Sequence, residues 1–230
     1  MIKKILYYLR IYGPGMFIWH FSWELRMRLR WILLKSFSQG DEDIIIDNLL
    51  GRNEKGFYVD VGAYDPMRFN NTERFYIRGW KGISIEPDPI KINKFNKLRP
   101  RDINLNVGVA NKNGELIFFR FDPQTLSTFS KKAAKSNQKL GFNLTEKVKI
   151  KVYKLRKILE ENYLGKQIDF FSIDTEGYDI EVLKRNNWKK FKPKVICIEE
   201  QDYKIEKFLS KLGYKKVSQT EVNSIFLYSS

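Results

Sequence analysis

The sequence contains a single cysteine, Cys197, and a single histidine, His20, among its 230 residues. One cysteine excludes an intramolecular disulfide and argues against a cysteine-based zinc site. One histidine, in a hydrophobic N-terminal stretch, argues against histidine-dependent catalysis. The longest stretch without a charged residue runs from 11 to 23 and is interrupted by Gly13-Pro14-Gly15, whereas a spanning helix needs about 20 apolar residues. We therefore expect no transmembrane helix and, without a small-residue cleavage site, no signal peptide.

Acidic residues are outnumbered by basic ones. The chain has 42 Lys and Arg against 27 Asp and Glu, a net charge of +15. Such a charge predicts attraction to nucleic acid, a phosphorylated substrate or an acidic membrane surface. Hydrophobic residues make up 43% and charged residues 30% of the chain. This profile is typical of a globular protein with a sizeable core and excludes disordered and collagen-like classes.

Residues 1–37 differ in composition from the rest of the chain. They hold seven basic residues and one acidic residue and are rich in aromatic side chains. The pattern predicts a helix over 16–37 with one basic side and one wide apolar side. Two interpretations stay open: an interfacial anchor on an anionic membrane, or a helix that packs on the main domain or on a second subunit, as most amphipathic helices do. We therefore divide the chain into an N-terminal helical extension, 1–37, and a main domain, 38–230.

From residue 38 onward, short apolar runs alternate with helical patterns. This alternation predicts βαβ units and a mostly parallel sheet with right-handed crossovers. The expected strands are 57–61, 82–86, 103–109, 168–173 and 195–198, with an antiparallel pair at 116–121 and 148–153 and two C-terminal strands at 214–217 and 224–228. The expected helices are 41–50, 154–163, 178–186 and 203–212. The polar, lysine-rich stretch 122–147 is longer than a usual connection and is either mobile or a functional lid.

The first strand ends in a glycine turn, Val59-Asp60-Val61-Gly62-Ala63. Doubly wound sheets open a ligand crevice at such a turn, and Gly62 would let the backbone approach a ligand closely. A single glycine is not the three-glycine dinucleotide fingerprint, which argues against NAD or FAD. A purely structural turn is the alternative.

The second strand ends in Ile85-Glu86-Pro87-Asp88-Pro89. An acidic side chain at this position can accept both hydroxyls of a ribose. The alternative is a helix-capping acid, a role that suits Asp88, next to Pro89, better than Glu86. Together with the glycine turn, Glu86 indicates an adenosine-bearing ligand without a diphosphate, and S-adenosylmethionine fits that description.

Three further strand ends carry polar residues. Asn106 and Val107 end the third strand and either flank the adenine or are plain β-structure. Asp174 and Glu176 follow the fourth strand, and Glu199 follows the fifth. A carboxylate at this edge can take a proton, hold a cation or orient a hydroxyl, although helix capping is the alternative. Repulsion between such carboxylates would raise a pKa or invite a divalent ion.

An ordered set of motifs carries a family resemblance. The motifs are Gly56-Phe57-Tyr58-Val59-Asp60-Val61-Gly62-Ala63-Tyr64-Asp65-Pro66, Arg68-Phe69-Asn70-Asn71-Thr72, Gly79-Trp80-Lys81-Gly82, Ile85-Glu86-Pro87 and Ile173-Asp174-Thr175-Glu176-Gly177-Tyr178-Asp179. The chain resembles the FkbM family of S-adenosylmethionine-dependent methyltransferases over 56–200. Ser38-Gln39-Gly40-Asp41-Glu42-Asp43 resembles the family's upstream motif, with the glycine and acids shifted by one position.

The resemblance implies a class I, Rossmann-like α/β fold with a seven-stranded, mostly parallel sheet whose last strand is antiparallel. It also implies methyl transfer to oxygen on sugars, polyketides or other secreted small molecules and polymers. The acceptor, the hydroxyl that is methylated, the metal requirement and the oligomeric state are not implied.

The expected roles of the site residues follow from that chemistry. An alcohol becomes a good nucleophile when its proton is removed as the new bond forms. Because no histidine lies near the motifs, we expect Asp174 to act as base or metal ligand, with Glu176 beside it and Glu199 as a second candidate. The expected cofactor contacts are Asp60, Gly62 and Ala63 at the methionine half, Asn71 and Thr72 at its carboxylate, Glu86 at the ribose, and Pro87, Asn106 and Val107 nearby.

Two rival functions are an RNA methyltransferase and an inactive, membrane-associated Rossmann-like module. The first would explain the charge, but the sequence has no motif of the Asn-Pro-Pro-Tyr type and no evident RNA-binding module. Carboxylates at three strand ends argue against the second. We expect an anionic acceptor, such as a nucleotide sugar or a lipid-linked glycan, and hence a cytoplasmic protein with peripheral contact to the inner face of a membrane through 1–37. A homo-oligomer is compatible with this expectation.

Overall fold

The structure, a computed structural model, describes residues 35–163, 165, 167–175, 177–199 and 202–229, with single positions at 22, 25, 29, 31 and 33. The predicted helix over 16–37 falls mostly outside the described residues, so the role of 1–37 stays a prediction. Among the helices that the structure describes, none is both long and apolar enough to cross a bilayer.

Two sheets and seven α-helices make up the described part of the chain. The strands are β1 Phe57–Val61, β2 Lys81–Ile85, β3 Ile103–Leu105, β4 Gly108–Val109, β5 Gly114–Asp122, β6 Asn143–Tyr153, β7 Phe170–Ile173, β8 Val195–Ile198, β9 Tyr214–Gln219 and β10 Ser224–Tyr228. The helices are α1 Glu42–Leu49, α2 Glu73–Ile77, α3 Pro89–Leu98, α4 Lys131–Lys139, α5 Leu155–Asn162, α6 Asp179–Lys184 and α7 Tyr203–Ser210, and a 3-10 turn spans Gln124–Leu126.

The main sheet has seven strands in the order β3-β2-β1-β7-β8-β10-β9. In this sheet β3, β2, β1, β7 and β8 pair in parallel with their neighbours in that order. β10 is antiparallel to both of its neighbours, β8 and β9. This is the predicted class I methyltransferase topology, including the antiparallel last strand. The strand order reverses between β1 and β7. The carboxyl ends of β1, β2 and β7 are therefore neighbours at this point, and sheets of this kind bind ligands there.

Helices cover the main sheet on both faces. On one face Val59, Ile83 and Phe171 belong to a large apolar cluster that includes Leu155 and Leu209 from α5 and α7. On the other face a second cluster contains residues of α1 and α2 and closely packed aromatic rings. Because both faces are buried, the parallel strands read as continuous apolar runs, which is why the sequence located them.

The predicted strand 103–109 is wrong in one respect, because the structure divides it between the two sheets. β3 pairs with β2, whereas β4 pairs with β6 in a second sheet of order β4-β6-β5. The break falls at Asn106, whose side-chain amide donates to the carbonyl oxygens of Glu86 at 3.0 Å and Pro87 at 2.9 Å. A competing side-chain hydrogen bond therefore ends the strand where the ligand crevice begins.

The upstream motif has a structural role. Asp43 is fully buried and accepts hydrogen bonds from the hydroxyls of Ser36 and Ser38 at 2.7 and 2.9 Å. Glu42, equally buried, accepts from Thr220 at 2.5 Å and Asn223 at 3.1 Å in the β9–β10 turn. The two carboxylates therefore tie the start of the main domain to its last hairpin.

Candidate active site

A cavity of about 70 Å³ lies at the carboxyl ends of β1, β2 and β7. Five of the predicted site residues line it, and they are Gly62, Glu86, Pro87, Val107 and Asp174. The other walls come from the second sheet, through Val109 and Phe118, and from residues 124–129, which we call the covering segment. The sequence therefore located one side of the cavity, and another side comes from the lysine-rich stretch, for which it left a mobile connection and a functional lid as alternatives.

Gly62 forms the turn that brings β1 against the end of β7. Its φ is +79°, and an ideal Cβ at this position would lie 1.7 Å from the carbonyl oxygen of Asp174. The Gly62 amide donates to Ile85 at 2.9 Å, and the Asp174 amide donates to Val61 at 2.9 Å. The space next to Gly62 is thus filled by the protein's own backbone, so the turn itself requires glycine here. A contact between Gly62 and a ligand stays a prediction.

Glu86 is the buried carboxylate of the cavity, with 3% of its surface exposed. Its Oε2 accepts from the amide of Tyr64 at 2.9 Å, and its Oε1 accepts from the amide of Asp88 at 2.8 Å. Burial raises the pKa of Glu86, while the charge of Lys91 and the two amide hydrogen bonds oppose the rise. Each carboxylate oxygen retains a second lone pair for a ligand hydroxyl.

Asp88 has the capping role that the sequence predicted for it. Its Oδ1 accepts from the amide of Ile90 at 2.9 Å at the start of α3. Its other oxygen lies 3.1 Å from Nε of Arg120, which also pairs with Glu146 at 2.6 Å. Arg120 therefore connects the second sheet to the start of α3 beside Glu86.

Asp174 and Thr175 line the cavity from the end of β7. Thr175 is held by Asp179, whose Oδ1 accepts from the Thr175 amide at 2.8 Å and its hydroxyl at 2.5 Å, so Asp179 fixes Thr175 beside the cavity and does not cap α6 with its side chain. Glu199 follows β8, where its amide donates to Ile173 at 3.1 Å, but it does not line the cavity. Glu176 lies outside the described residues, and its predicted role stays a prediction.

Asp60 lies in a buried polar network away from the cavity. Its Oδ2 accepts from Thr72 at 2.8 Å and from Asn70 at 3.2 Å. Arg99 is fully buried and donates to Thr72 at 2.6 Å and to Asn70 at 2.8 Å. Burial raises the pKa of Asp60, and the charge of Arg99 opposes the rise. The network fixes the β1–α2 connection. Neither Asp60 nor Thr72 lines the cavity, although both were predicted to contact the cofactor.

Two further predicted residues also have protein partners. The Asn71 amide donates to the hydroxyl of Ser172 at 3.1 Å on β7. Ala63 is buried and packs with Ile92 and Phe95 of α3. Neither Asn71 nor Ala63 lines the cavity.

The covering segment closes the cavity from the side of the second sheet. The Phe129 ring lies 4.9 Å from that of Phe118, centroid to centroid, and it occupies the space where a Cβ of Gly108 would lie. Thr128 exchanges two backbone hydrogen bonds with Phe119, of 2.9 and 3.0 Å. The covering segment is therefore held in place as a wall of the cavity.

The alternative role of Asp174 as a metal ligand stays a prediction, because its neighbour Glu176 lies outside the described residues. Among the described residues, no three His, Cys, Asp or Glu side chains are grouped as metal ligands would be. We therefore assign no step to a metal.

The strand order and the position of the cavity define a class I methyltransferase fold. The methyltransferase FkbM domain model matches residues 60–216, and the chain belongs to this family. A search of curated proteins finds no match.

Solved structures of similar fold include other methyltransferases. An FkbM methyltransferase from Methylobacillus flagellatus KT has 12% identity and a TM-score of 0.45 over 76% of this chain and 44% of that chain. The METTL16 methyltransferase domain has 16% identity and a TM-score of 0.39 over 80% and 78%. M. capricolum TrmK in complex with S-adenosylhomocysteine has 11% identity and a TM-score of 0.39 over 80% and 66%. The chain thus spans less than half of the length of the FkbM structure.

Proposed function

We propose that this chain is an S-adenosylmethionine-dependent methyltransferase that methylates a hydroxyl group of a small molecule or sugar. The observation that carries the proposal is the position of Glu86. In a chain of a methyltransferase family, it is a buried carboxylate that lines the cavity at the end of β2, where ribose hydroxyls are bound in this class of sheet.

The residues present suit an adenosyl group. Glu86 offers lone pairs to two ribose hydroxyls, and its two backbone partners fix the carboxylate in place. Val107, Val109 and Phe118 supply apolar walls for a base. When bound, S-adenosylmethionine supplies an electrophilic methyl carbon that leaves sulfur as the new carbon–oxygen bond forms.

Asp174 is the residue that we propose as general base. Its backbone is fixed to β1 through Val61, and it lines the cavity where β7 ends. As the acceptor oxygen forms its bond to carbon, the hydroxyl proton moves to the Asp174 carboxylate, which makes the alcohol a sufficient nucleophile. The remaining contribution of the site is alignment of the reacting atoms and exclusion of water by the covering segment.

The acceptor that we propose is anionic, such as a nucleotide sugar or a lipid-linked glycan. The net charge of +15 supports this choice, since it favours association with phosphorylated molecules. Contact of residues 1–37 with an anionic membrane belongs to the same proposal.

Calorimetry with S-adenosylhomocysteine and incubation with labelled S-adenosylmethionine test the proposal. We expect binding, and transfer of label to a member of a panel of nucleotide sugars. Transfer of label to RNA, with binding that weakens steeply with salt, would instead identify the RNA methyltransferase alternative. Absence of any S-adenosylhomocysteine binding would refute the proposed function.

A further inference from the structure

The cavity contains a buried lysine to which the sequence analysis assigned no role. Lys91 lies in the first turn of α3, lines the cavity and has only 6% of its surface exposed. Its Nζ lies 4.1 Å from the centroid of the Tyr64 ring. Within the described part of the chain, its one hydrogen bond is to the carbonyl oxygen of Gln124 in the covering segment, at 3.5 Å.

The Lys91 ammonium has more donor capacity than its surroundings use. An ammonium carries three N–H donors, and a 3.5 Å bond is at the long limit for a hydrogen bond. The face of the Tyr64 ring attracts the charge but takes no full hydrogen bond. A buried charge left in this condition is costly. An acceptor atom of a ligand in the cavity would remove that cost.

Lys91 acts on the same part of the cavity as Glu86. The charge of Lys91 lowers the pKa of Glu86 against the effect of burial, so the two groups are close enough to interact electrostatically. Tyr64 connects them, because its amide donates to Glu86 while its ring lies against Lys91. A ligand group held by Glu86 is therefore within the region that Lys91 can reach.

We propose that Lys91 is a ligand-binding residue whose ammonium donates a hydrogen bond to an oxygen or ring nitrogen of the nucleoside held by Glu86. The inference rests on the proposed function, because it assigns the nucleoside to the adenosyl half of S-adenosylmethionine. Because Lys91 also donates to the carbonyl oxygen of Gln124, its ammonium would connect the covering segment to the bound nucleoside.

Calorimetry on the full chain tests this role with two probes, S-adenosylhomocysteine and adenosine. Lys91→Met keeps an unbranched side chain and removes the charge and the donors. We expect it to weaken the binding of both probes by a similar factor, about tenfold. Lys94→Met is the matched control: Lys94 lies on the same helix and pairs with Asp65 at 2.9 Å, with about half of its side chain exposed. We expect this control to bind both probes like the wild type.

Two measurements separate direct contact from other roles. Thermal melts check that Lys91→Met and Lys94→Met are both folded at the temperature of the titrations, since removing the Lys91 charge leaves Glu86 buried without it and is expected to lower the Tm. The loss of affinity should also persist in a Glu86→Gln background, where position 86 carries no charge for Lys91 to act on. A loss that disappears in that background would mean that Lys91 acts only through Glu86 and would overturn the inference.

The remaining outcomes also decide the matter. Unchanged affinity of Lys91→Met for both probes, or a loss confined to S-adenosylhomocysteine, would overturn the inference and leave the proposed function standing. A wild-type chain that binds neither probe would refute the proposed function and this inference with it.

Discussion

The carbonyl oxygen of Asp174 occupies the position in which a side chain on residue 62 would begin, 1.7 Å from an ideal Cβ. Gly62 directly follows β1 and Asp174 directly follows β7, the strands on either side of the point where the sheet order reverses. A side chain at position 62 would push β1 and β7 apart at the cavity floor. Glycine is therefore needed at this position for folding, whether or not it also contacts a ligand.

We predict that Gly62→Ala lowers the free energy of unfolding by about 2 kcal/mol or more, because the new methyl group meets backbone and φ is positive. Urea unfolding measures the change. Gly51→Ala is the control, since Gly51 also has a positive φ, +69°, but a Cβ there would meet nothing within 4 Å. Equal losses in the two variants would show that the contact with Asp174 adds nothing.

Glu86→Ala is expected to weaken S-adenosylhomocysteine binding more than tenfold, about 1.4 kcal/mol, the loss expected for a charged hydrogen-bond acceptor. Since burial raises the pKa of Glu86, wild-type affinity should also fall with decreasing pH earlier than an exposed glutamate would allow. Calorimetry across a pH series measures both effects. Asp102→Asn is the control, because it removes a buried carboxylate outside the cavity and should leave the affinity unchanged. An affinity of Glu86→Ala equal to that of the wild type would exclude Glu86 from the site.

Asp174→Asn is expected to abolish methyl transfer and leave S-adenosylhomocysteine binding within a factor of about three, because the amide keeps the shape but cannot accept the proton. A labelled-methyl assay and calorimetry on the same preparation measure the two quantities. Glu199→Gln is the comparison, since Glu199 is the second candidate and does not line the cavity. Near-normal turnover in Asp174→Asn, with loss of turnover in Glu199→Gln, would transfer the role of base to Glu199.

Asp102 is expected to produce a pH dependence of stability. It accepts from Tyr58 at 2.6 Å and from the Gly82 amide at 2.9 Å, yet burial raises its pKa to about 6 from 3.8. The native state therefore binds the proton more tightly than the unfolded state. The free energy of unfolding should fall by up to about 3 kcal/mol as the pH rises from about 4 to about 6.

The difference between wild type and Asp102→Asn isolates that contribution, because all other titrating groups are shared. Urea unfolding at several pH values should show the difference changing across this window and constant above it. Tyr58→Phe removes a hydrogen bond that favours the ionised carboxylate, so the window should move to higher pH. A difference that does not change with pH would contradict the raised pKa of Asp102.

The parts of the fold that the sequence predicted are those that depend on local signals. Buried parallel strands are continuous apolar runs, and Glu86 directly follows one of them, so both its existence and its place at the sheet edge could be predicted. The capping role of Asp88 was equally local, since Pro89 follows it. The pairing of β5 with β6 could be predicted from their alternating pattern.

The parts that the sequence missed depend on contacts between distant residues. The β3–β4 break depends on the amide of Asn106 reaching the carbonyl of Glu86. The orientation of the Asp60 side chain depends on a hydrogen-bond network that includes Arg99. The role of Lys91 depends on the covering segment, and its sequence position in the first turn of α3 was the only local signal.

The covering segment should control how fast a ligand leaves the cavity. Phe129 packs against Phe118 and over Gly108, and it lines the same cavity as Glu86 and Asp174, so we expect the segment to move when a ligand leaves. We expect Phe129→Ala to increase the dissociation rate of S-adenosylhomocysteine about tenfold and to change the association rate less, because a closed segment holds the ligand and does not recruit it. Stopped-flow measurements give both rates, with Leu140→Ala, at a side chain that is 71% exposed, as the control. Unchanged dissociation in Phe129→Ala would mean that the segment is a fixed wall of the cavity.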